Sequence, residues 1–183
     1  LKIRITTTVL CLLTFFINGC AEQPQHNSIS TPQAQPLTEQ AEAALFKAAG
    51  SIAPQQQLYQ LAAAELFIKA DKKDKALAVL GKISPDTLPL EQFVKYTLTY
   101  SELTLANDHF FLARQLLTSQ RIEQNWAKLP SPQQQQWHQL RGKLFSLLGE
   151  DNKSLHSYNA LSALSETTED RQKAHEELWF VLN

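Results

Sequence analysis

Cysteine and methionine are the scarcest residues in this chain of 183. Both cysteines, Cys11 and Cys20, fall within the first twenty positions, and methionine is absent even from position 1. The rest of the chain therefore has no thiol for a disulfide framework or a cysteine-rich metal site. Leu1 indicates either an alternative start codon or a sequence trimmed at its N-terminus.

The chain also lacks a charge excess of either sign. Seventeen basic residues face 18 acidic ones, the formal net charge is −1, and no basic cluster occurs beyond the extreme N-terminus. Nucleic-acid binding needs a concentrated cationic surface, so we expect no nucleic acid among the partners. With the first 19 residues set aside, the remaining length suits one domain or a short run of helical repeats.

Familiar catalytic and cofactor motifs are missing. The chain has no glycine-rich phosphate loop, no histidines paired at i and i+4, no nucleophile elbow and no cluster of cysteine ligands. Four histidines fall on different predicted helices or turns: His109, His138, His156 and His175. Such scattered positions favour surface or packing roles. We therefore expect a binding protein with no catalytic residue, no cofactor and no metal.

The first twenty residues have the layout of an export signal. Lys2 and Arg4 precede the apolar run VLCLLTFFI, which is about half the ~20 residues that a membrane-spanning helix requires. The residues that follow resemble the lipobox of bacterial lipoproteins, with an aliphatic residue at −3 and a small one at −1. Ile17, Gly19 and Cys20 match this pattern, whereas Asn18 is a less usual residue at −2.

This lipobox resemblance implies a signal peptide at 1–19 and a lipid anchor on Cys20. In such lipoproteins the cysteine thiol receives a diacylglycerol, the leader is removed and the new amine is acylated. Several acyl chains make the attachment effectively permanent. Ala21, in place of an aspartate, implies sorting to the inner leaflet of the outer membrane, on its periplasmic side. The open alternative is a soluble periplasmic protein cut near Gly19, with Cys20 incidental.

Residues 20–37 form a polar stretch between this leader and the rest of the chain. The stretch contains three prolines among Gln, Ser and Thr, and it has little apolar surface to bury. Such a composition cannot offset the entropy lost on ordering. We therefore expect a disordered or partly extended tether.

Residues 38–183 have the pattern of an all-α domain. Apolar residues recur at helical spacing, as in Ala41, Ala44, Leu45 and Ala48. Polar turns, prolines and glycines divide the region into about seven helices, the last over about 168–182, and no alternating strand pattern occurs.

Small residues indicate an internal repeat in this domain. Three pairs lie twelve positions apart, each across a polar turn: Ala64 and Ala76, Ser101 and Ala113, Gly142 and Ser154. In a tetratricopeptide hairpin the two helices cross closely at small residues, because bulkier side chains would hold the backbones apart. We therefore predict tetratricopeptide-like hairpins in a short solenoid. The alternative is an irregular helical bundle with a chance coincidence of spacing.

Larger side chains fit the same repeat with one exception. Apolar or aromatic residues occupy the expected offsets at Phe67, Leu80, Leu117, Phe145 and Tyr158, whereas Thr104 stands where an aromatic is expected. Trp126, Trp137 and Trp179 are predicted to belong to the core before any binding role. The glutamine runs at 55–57 and 133–136 are predicted to be exposed helix N-termini.

The order of these segments resembles one known family. A lipobox and a Pro/Gln tether precede QLAAAELFIKADKKDKALAVLGKI, LARQLLTSQ and WHQLRGKLFSLLGEDNKSLHSYNALSAL. Together they resemble the N-terminal part of the LppC lipoprotein family of penicillin-binding protein activators. The resemblance implies an outer-membrane lipoprotein that binds a class A penicillin-binding protein and stimulates its transpeptidase, which cross-links peptidoglycan.

Members of that family continue into a second domain that resembles periplasmic solute-binding proteins, and this sequence stops before it. The chain is therefore expected to be a fragment or the product of a truncated gene. The alternative function is a generic tetratricopeptide lipoprotein that scaffolds another envelope assembly complex.

Overall fold

The fold consists of helices joined by short turns. The computed structural model describes residues 36–165 and 167–182, so the predicted leader, lipobox and most of the tether lie outside the described residues. Within the described part there are no strands, which confirms the all-α prediction. The α-helices are α1 (Leu37–Ala49), α2 (Gln55–Lys69), α3 (Lys73–Leu80), α4 (Leu90–Ala106), α5 (Phe110–Leu117), α6 (Gln120–Glu123), α7 (Ser131–Leu147), α8 (Asp151–Leu164) and α9 (Thr168–Leu182).

These helices form three consecutive antiparallel hairpins. The hairpins are α2 with α3, α4 with α5, and α7 with α8, while α1 packs on α2 and α9 packs on α8. Successive hairpins contact one another through α3 and α4 and through α4, α5 and α7. This arrangement confirms the predicted tetratricopeptide-like solenoid. None of the described helices is long and apolar enough to cross a membrane.

Each hairpin turns at a residue with left-handed backbone. The three residues are Asp71 (φ 56°), Asp108 (φ 59°) and Gly149 (φ 67°). At each turn the next amide donates to a carbonyl five residues earlier: Lys72 to Phe67 at 2.8 Å, His109 to Thr104 at 2.9 Å, and Glu150 to Phe145 at 2.8 Å. This bond is typical of the Schellman motif, which satisfies the last carbonyls of a helix.

The small-residue pairs lie inside the hairpins. Gly142 is buried. The other five residues have fully buried side chains: Ala64, Ala76, Ser101, Ala113 and Ser154. The contact is most direct in the third hairpin, where the Ser154 hydroxyl donates to the Gly142 carbonyl oxygen at 2.9 Å. A Cβ on Gly142 would lie 2.7 Å from Cζ of Tyr158. The ring of Tyr158 therefore occupies the space that a side chain would need.

The larger residues of the repeat form the core between the helices. Phe67, Leu80, Leu117, Phe145 and Tyr158 are each at most 5% exposed. Burying these apolar surfaces is the main force that holds the hairpins together.

Thr104 takes the place of the missing aromatic without leaving an unpaired polar group. Its side chain is fully buried. The hydroxyl donates within its own helix, to the carbonyl oxygens of Tyr100 at 2.8 Å and Ser101 at 3.0 Å. Because the hydroxyl is satisfied locally, a threonine is tolerated in the core.

An arginine joins the two connections between hairpins. Arg121 of α6 donates to the carbonyl oxygens of Pro85 at 3.0 Å and Leu88 at 2.6 Å, and its guanidinium lies 4.3 Å from the centre of the Phe93 ring. The planar guanidinium holds its N–H donors in a fixed fork that can reach two acceptors at once, whereas the ammonium of a lysine has no such fixed geometry. This contact fixes the longer connections that separate the repeats.

Gly142→Ala is expected to destabilise the domain. Alanine favours helix over glycine by about 1 kcal/mol, but here the added Cβ must displace the Tyr158 ring, and overpacking a core costs about 1–3 kcal/mol. Chemical denaturation should therefore show a net loss of stability, and Tyr158→Leu in the same chain should recover part of it. A Gly142→Ala protein that is more stable than the parent would contradict the close crossing.

Candidate functional site

An apolar groove lies between α2 and α4. It has a volume of about 500 Å³ and is lined by Glu65, Ile68, Lys69, Lys73, Lys95, Thr99, Glu102, Leu103 and Ala106. The α4 residues recur every three or four positions, so they lie along one face of that helix. The groove is therefore built mainly from the first helices of two successive hairpins, with Lys73 added from the start of α3.

The floor of the groove is aliphatic. Leu103 is buried, Ile68 is half-buried and Ala106 is exposed. Most of the exposed lining surface is apolar. Such a floor can accept an aliphatic side chain, because binding would remove apolar surface from water.

Charged groups surround this apolar floor. Lys95 Nζ lies 2.6 Å from Glu65 Oε1, so these two charges already neutralise each other across the α2–α4 boundary. Among the described residues, Lys73 has one carboxylate within ion-pair distance, Asp71 at 3.7 Å, and both side chains are more than half exposed. An exposed pair of this kind contributes little, so the Lys73 ammonium is available to a ligand.

A second cluster, of aromatic and charged groups, lies around His138. The rings of Trp126 and Trp137 lie 4.8 and 5.0 Å from the His138 ring, and the Arg141 guanidinium lies 4.2 Å from the Trp137 ring. Arg141 also pairs with Glu123 at 3.2 Å. This cluster packs the third hairpin against the preceding connection, and its role is structural.

The environment of His138 disfavours its charged form. Burial, reinforced by electrostatic interactions with Arg141 and His156, lowers the pKa of His138 from 6.5 to about 4. Burial also lowers the pKa of Arg141, although its hydrogen bond to Glu123 opposes this effect. His138 is therefore a neutral packing residue at neutral pH.

Two sequence interpretations need correction here. Trp137 is buried, as expected for a core residue, but Trp179 is 67% exposed. The glutamine runs are not simply exposed, since Gln57 is buried and Gln134 donates to the Leu129 carbonyl oxygen at 2.8 Å. Gln135 likewise donates to the Leu164 carbonyl oxygen at 2.8 Å. These side-chain amides can donate there because helix ends and turns leave carbonyl oxygens without backbone partners.

The other predicted residues divide between the two parts of the chain. Cys20 and the lipobox residues Ile17, Asn18 and Gly19 lie outside the described residues, as do the side chains of His175 and Glu177. The six small repeat residues lie within the hairpins rather than on the groove surface. Across the described residues, no three or more His, Cys, Asp or Glu side chains converge on a possible metal position.

Comparison with known proteins identifies the family. The model of the family described as "LppC putative lipoprotein" matches residues 33–183. The chain belongs to the LppC lipoprotein family. The resemblance noted from the sequence is thereby confirmed.

Named relatives of this LppC chain agree with the family match. The penicillin-binding protein activator LpoA of Vibrio cholerae is 28% identical over 93% of this chain, and the chain spans 27% of that relative's length. The crystal structure of the Escherichia coli LpoA amino-terminal domain has a TM-score of 0.50 and 22% identity, covering 84% of this chain and 68% of that one. The likeness to the E. coli domain shows a shared fold. Haemophilus influenzae LpoA has a TM-score of 0.49 and 17% identity, covering 78% of this chain and 25% of that one.

Sequence reasoning missed the groove in this LppC domain. Apart from Lys73 at the start of α3, its residues come from two helices that are some 30 positions apart, and they form no recognisable motif. The available signal was the spacing on α4, where Thr99, Leu103 and Ala106 interrupt a charged face. That spacing alone does not reveal which helix lies opposite.

Stability is expected to fall in acid through His138. The pKa of His138 is about 4 in the folded chain, below the 6.5 of the free side chain. As the pH falls, the unfolded chain therefore binds a proton at this histidine before the folded chain does. The stabilisation is complete above about pH 6.5 and is lost as the pH falls towards 4.

Denaturant unfolding should therefore show that the free energy of unfolding of the parent falls between pH 7 and pH 4. In His138→Gln this fall should be smaller by about 2 kcal/mol. His109→Gln, at an exposed turn position, serves as the control for exchanging a histidine for glutamine. Equal slopes in the parent and His138→Gln would rule out this role.

Proposed function

We propose that this chain is the anchoring, N-terminal part of an outer-membrane lipoprotein that binds a class A penicillin-binding protein and stimulates its transpeptidase. The observation that carries the proposal is the LppC family match over residues 33–183. The V. cholerae relative, named a penicillin-binding protein activator, supports the activating role. Because the chain spans 27% of that relative, activation is proposed for the whole gene product.

Within that function, the helical domain supplies reach and orientation by binding and does not catalyse a reaction. Successive hairpins are tied together by the core and by Arg121, so they form one continuous helical unit. A repeat array of this kind presents an extended surface for a partner protein. A stiff domain also holds whatever follows it at a defined distance from the point where the tether joins the domain.

The anchor is proposed to be Cys20, acylated after removal of residues 1–19, with residues 20–37 as the tether. Family membership supports a lipoprotein, and the lipobox stretch from Ile17 to Cys20 supplies the residues for it. Attachment through several acyl chains would keep the domain permanently at a membrane. The residue after the cysteine, Ala21, supports the inner leaflet of the outer membrane.

The proposed function is tested by deleting residues 38–183 from the whole gene product in cells. We expect lower cross-linking of isolated peptidoglycan, because the activator can no longer reach the synthase from its anchor. Replacing the same residues with an unrelated helical domain of similar length should restore cross-linking if the domain supplies only reach. It should not restore cross-linking if the domain binds a partner specifically. A Cys20→Ser protein tests the anchor separately, through loss of labelled palmitate and of membrane attachment.

Undiminished cross-linking after the deletion would remove the proposed role of the domain. Co-purification from detergent-solubilised envelopes then decides between partners. A class A penicillin-binding protein among the captured proteins supports the proposal. Capture of other envelope assembly components in its place would favour the scaffold function.

A further inference from the structure

We propose that the groove between α2 and α4 binds a short extended segment of a partner protein that carries an aliphatic side chain next to a carboxylate. The proposal rests on the function above, in which this domain acts by binding, and it names the surface and the chemistry. Three features of the groove support it: the length, the apolar floor and the position of the charges.

The length of the groove suits a short extended peptide. Along α4 it runs from Lys95 to Ala106, which corresponds to about 16 Å at 1.5 Å per residue. An extended chain rises about 3.3 Å per residue, so about five residues would fill it. A volume of about 500 Å³ also falls within the range typical of ligand sites.

The apolar floor selects an aliphatic side chain. Ile68 and Ala106 leave apolar surface open to solvent in the groove that the buried Leu103 also lines. An aliphatic group placed there would remove both surfaces from water. A phosphate or a sugar would lose its own hydration on this floor without gaining hydrogen bonds.

The lysines on the α2–α3 side of the groove select a carboxylate. Lys95 is already paired with Glu65, whereas no described carboxylate lies within ion-pair distance of Lys69, and Lys73 has only the exposed contact with Asp71. These two ammonium groups lie on the α2–α3 side. A ligand carboxylate there could pair with Lys69, which has no described ion pair, and with Lys73 in place of its exposed contact with Asp71.

Glu102, on the opposite side of the groove, restricts the ligand further. No described cation lies within ion-pair distance of its carboxylate. It would repel a segment with many acidic residues but could accept a hydrogen bond from a ligand backbone N–H. The groove therefore fits one carboxylate beside an aliphatic residue, rather than a polyanion.

The test begins with selection from a random library of 12-residue peptides displayed on phage. The bait is the full chain in detergent micelles, and the counter-bait is the same chain with Ala106→Trp. Ala106 is exposed at the end of α4, so tryptophan can fill the groove without entering the core. Ala78→Trp, at an exposed position of α3, is the matched control. Thermal unfolding checks that both variants fold.

We expect enrichment of peptides with an aliphatic residue next to Asp or Glu. A selected peptide carrying a fluorescent label should lose about tenfold in affinity for Ala106→Trp and none for Ala78→Trp. Lys69→Glu with Lys73→Glu should weaken binding about fivefold, as expected for two partly exposed ion pairs. Lys128→Glu with Lys143→Glu, at exposed sites away from the groove, should leave binding unchanged.

Three results would overturn the proposal. The first is a library with no sequence enriched over the Ala106→Trp counter-bait. The second is selected peptides that bind Ala106→Trp as well as the parent, and the third is enrichment of basic or purely apolar peptides. The proposed function is read separately, from peptidoglycan cross-linking in cells, so a failure here is distinguishable from a failure there.

Discussion

The third hairpin depends on the absence of a side chain at Gly142. With no Cβ there, the Tyr158 ring lies directly on the helix backbone, and Ser154 can reach the Gly142 carbonyl oxygen. Seven residues after Gly142 the chain turns at Gly149, and five residues later comes Ser154. The other hairpins have the same offsets, with Asp71 and Asp108 at their turns. One local geometry is therefore used three times.

Repetition of this geometry places equivalent surfaces side by side. Ion pairs link neighbouring hairpins and flanking helices: Glu42 with Lys75, Glu65 with Lys95, Glu123 with Arg141, and Arg114 with Glu150. Each pair is at least partly exposed, so each contributes little on its own. Their value lies in orientation, since they fix how one hairpin sits against the next. The groove between α2 and α4 is one result of that alignment.

Local sequence signals predicted most of the fold. Helix periodicity, the polar turns and the small residues twelve positions apart depend on neighbours within one hairpin, so a single sequence shows them. Thr104 showed the limit of this reasoning: it departs from the repeat pattern, yet its hydroxyl is satisfied within its own helix. Trp179 showed another limit, because a large aromatic was expected in the core and is 67% exposed.

Contacts between hairpins were beyond sequence reasoning. Arg121 donates to carbonyl oxygens more than 30 positions earlier. Its local sequence does not distinguish it from any other arginine in a polar connection. The groove was missed for the same reason, because Ile68 and Leu103 face each other only after the hairpins stack. Each of these features requires knowing which helices become neighbours.

The central claim is that the paired helices approach closely at small residues, and the most direct test is the stability of Ala113→Leu. Ala113 is fully buried in α5, so leucine should force α4 and α5 apart and lower the free energy of unfolding by about 1–3 kcal/mol. Ala78→Leu, on the exposed face of α3, should change it by less than about 0.5 kcal/mol. Equal effects of the two substitutions in denaturant unfolding would contradict the close crossing.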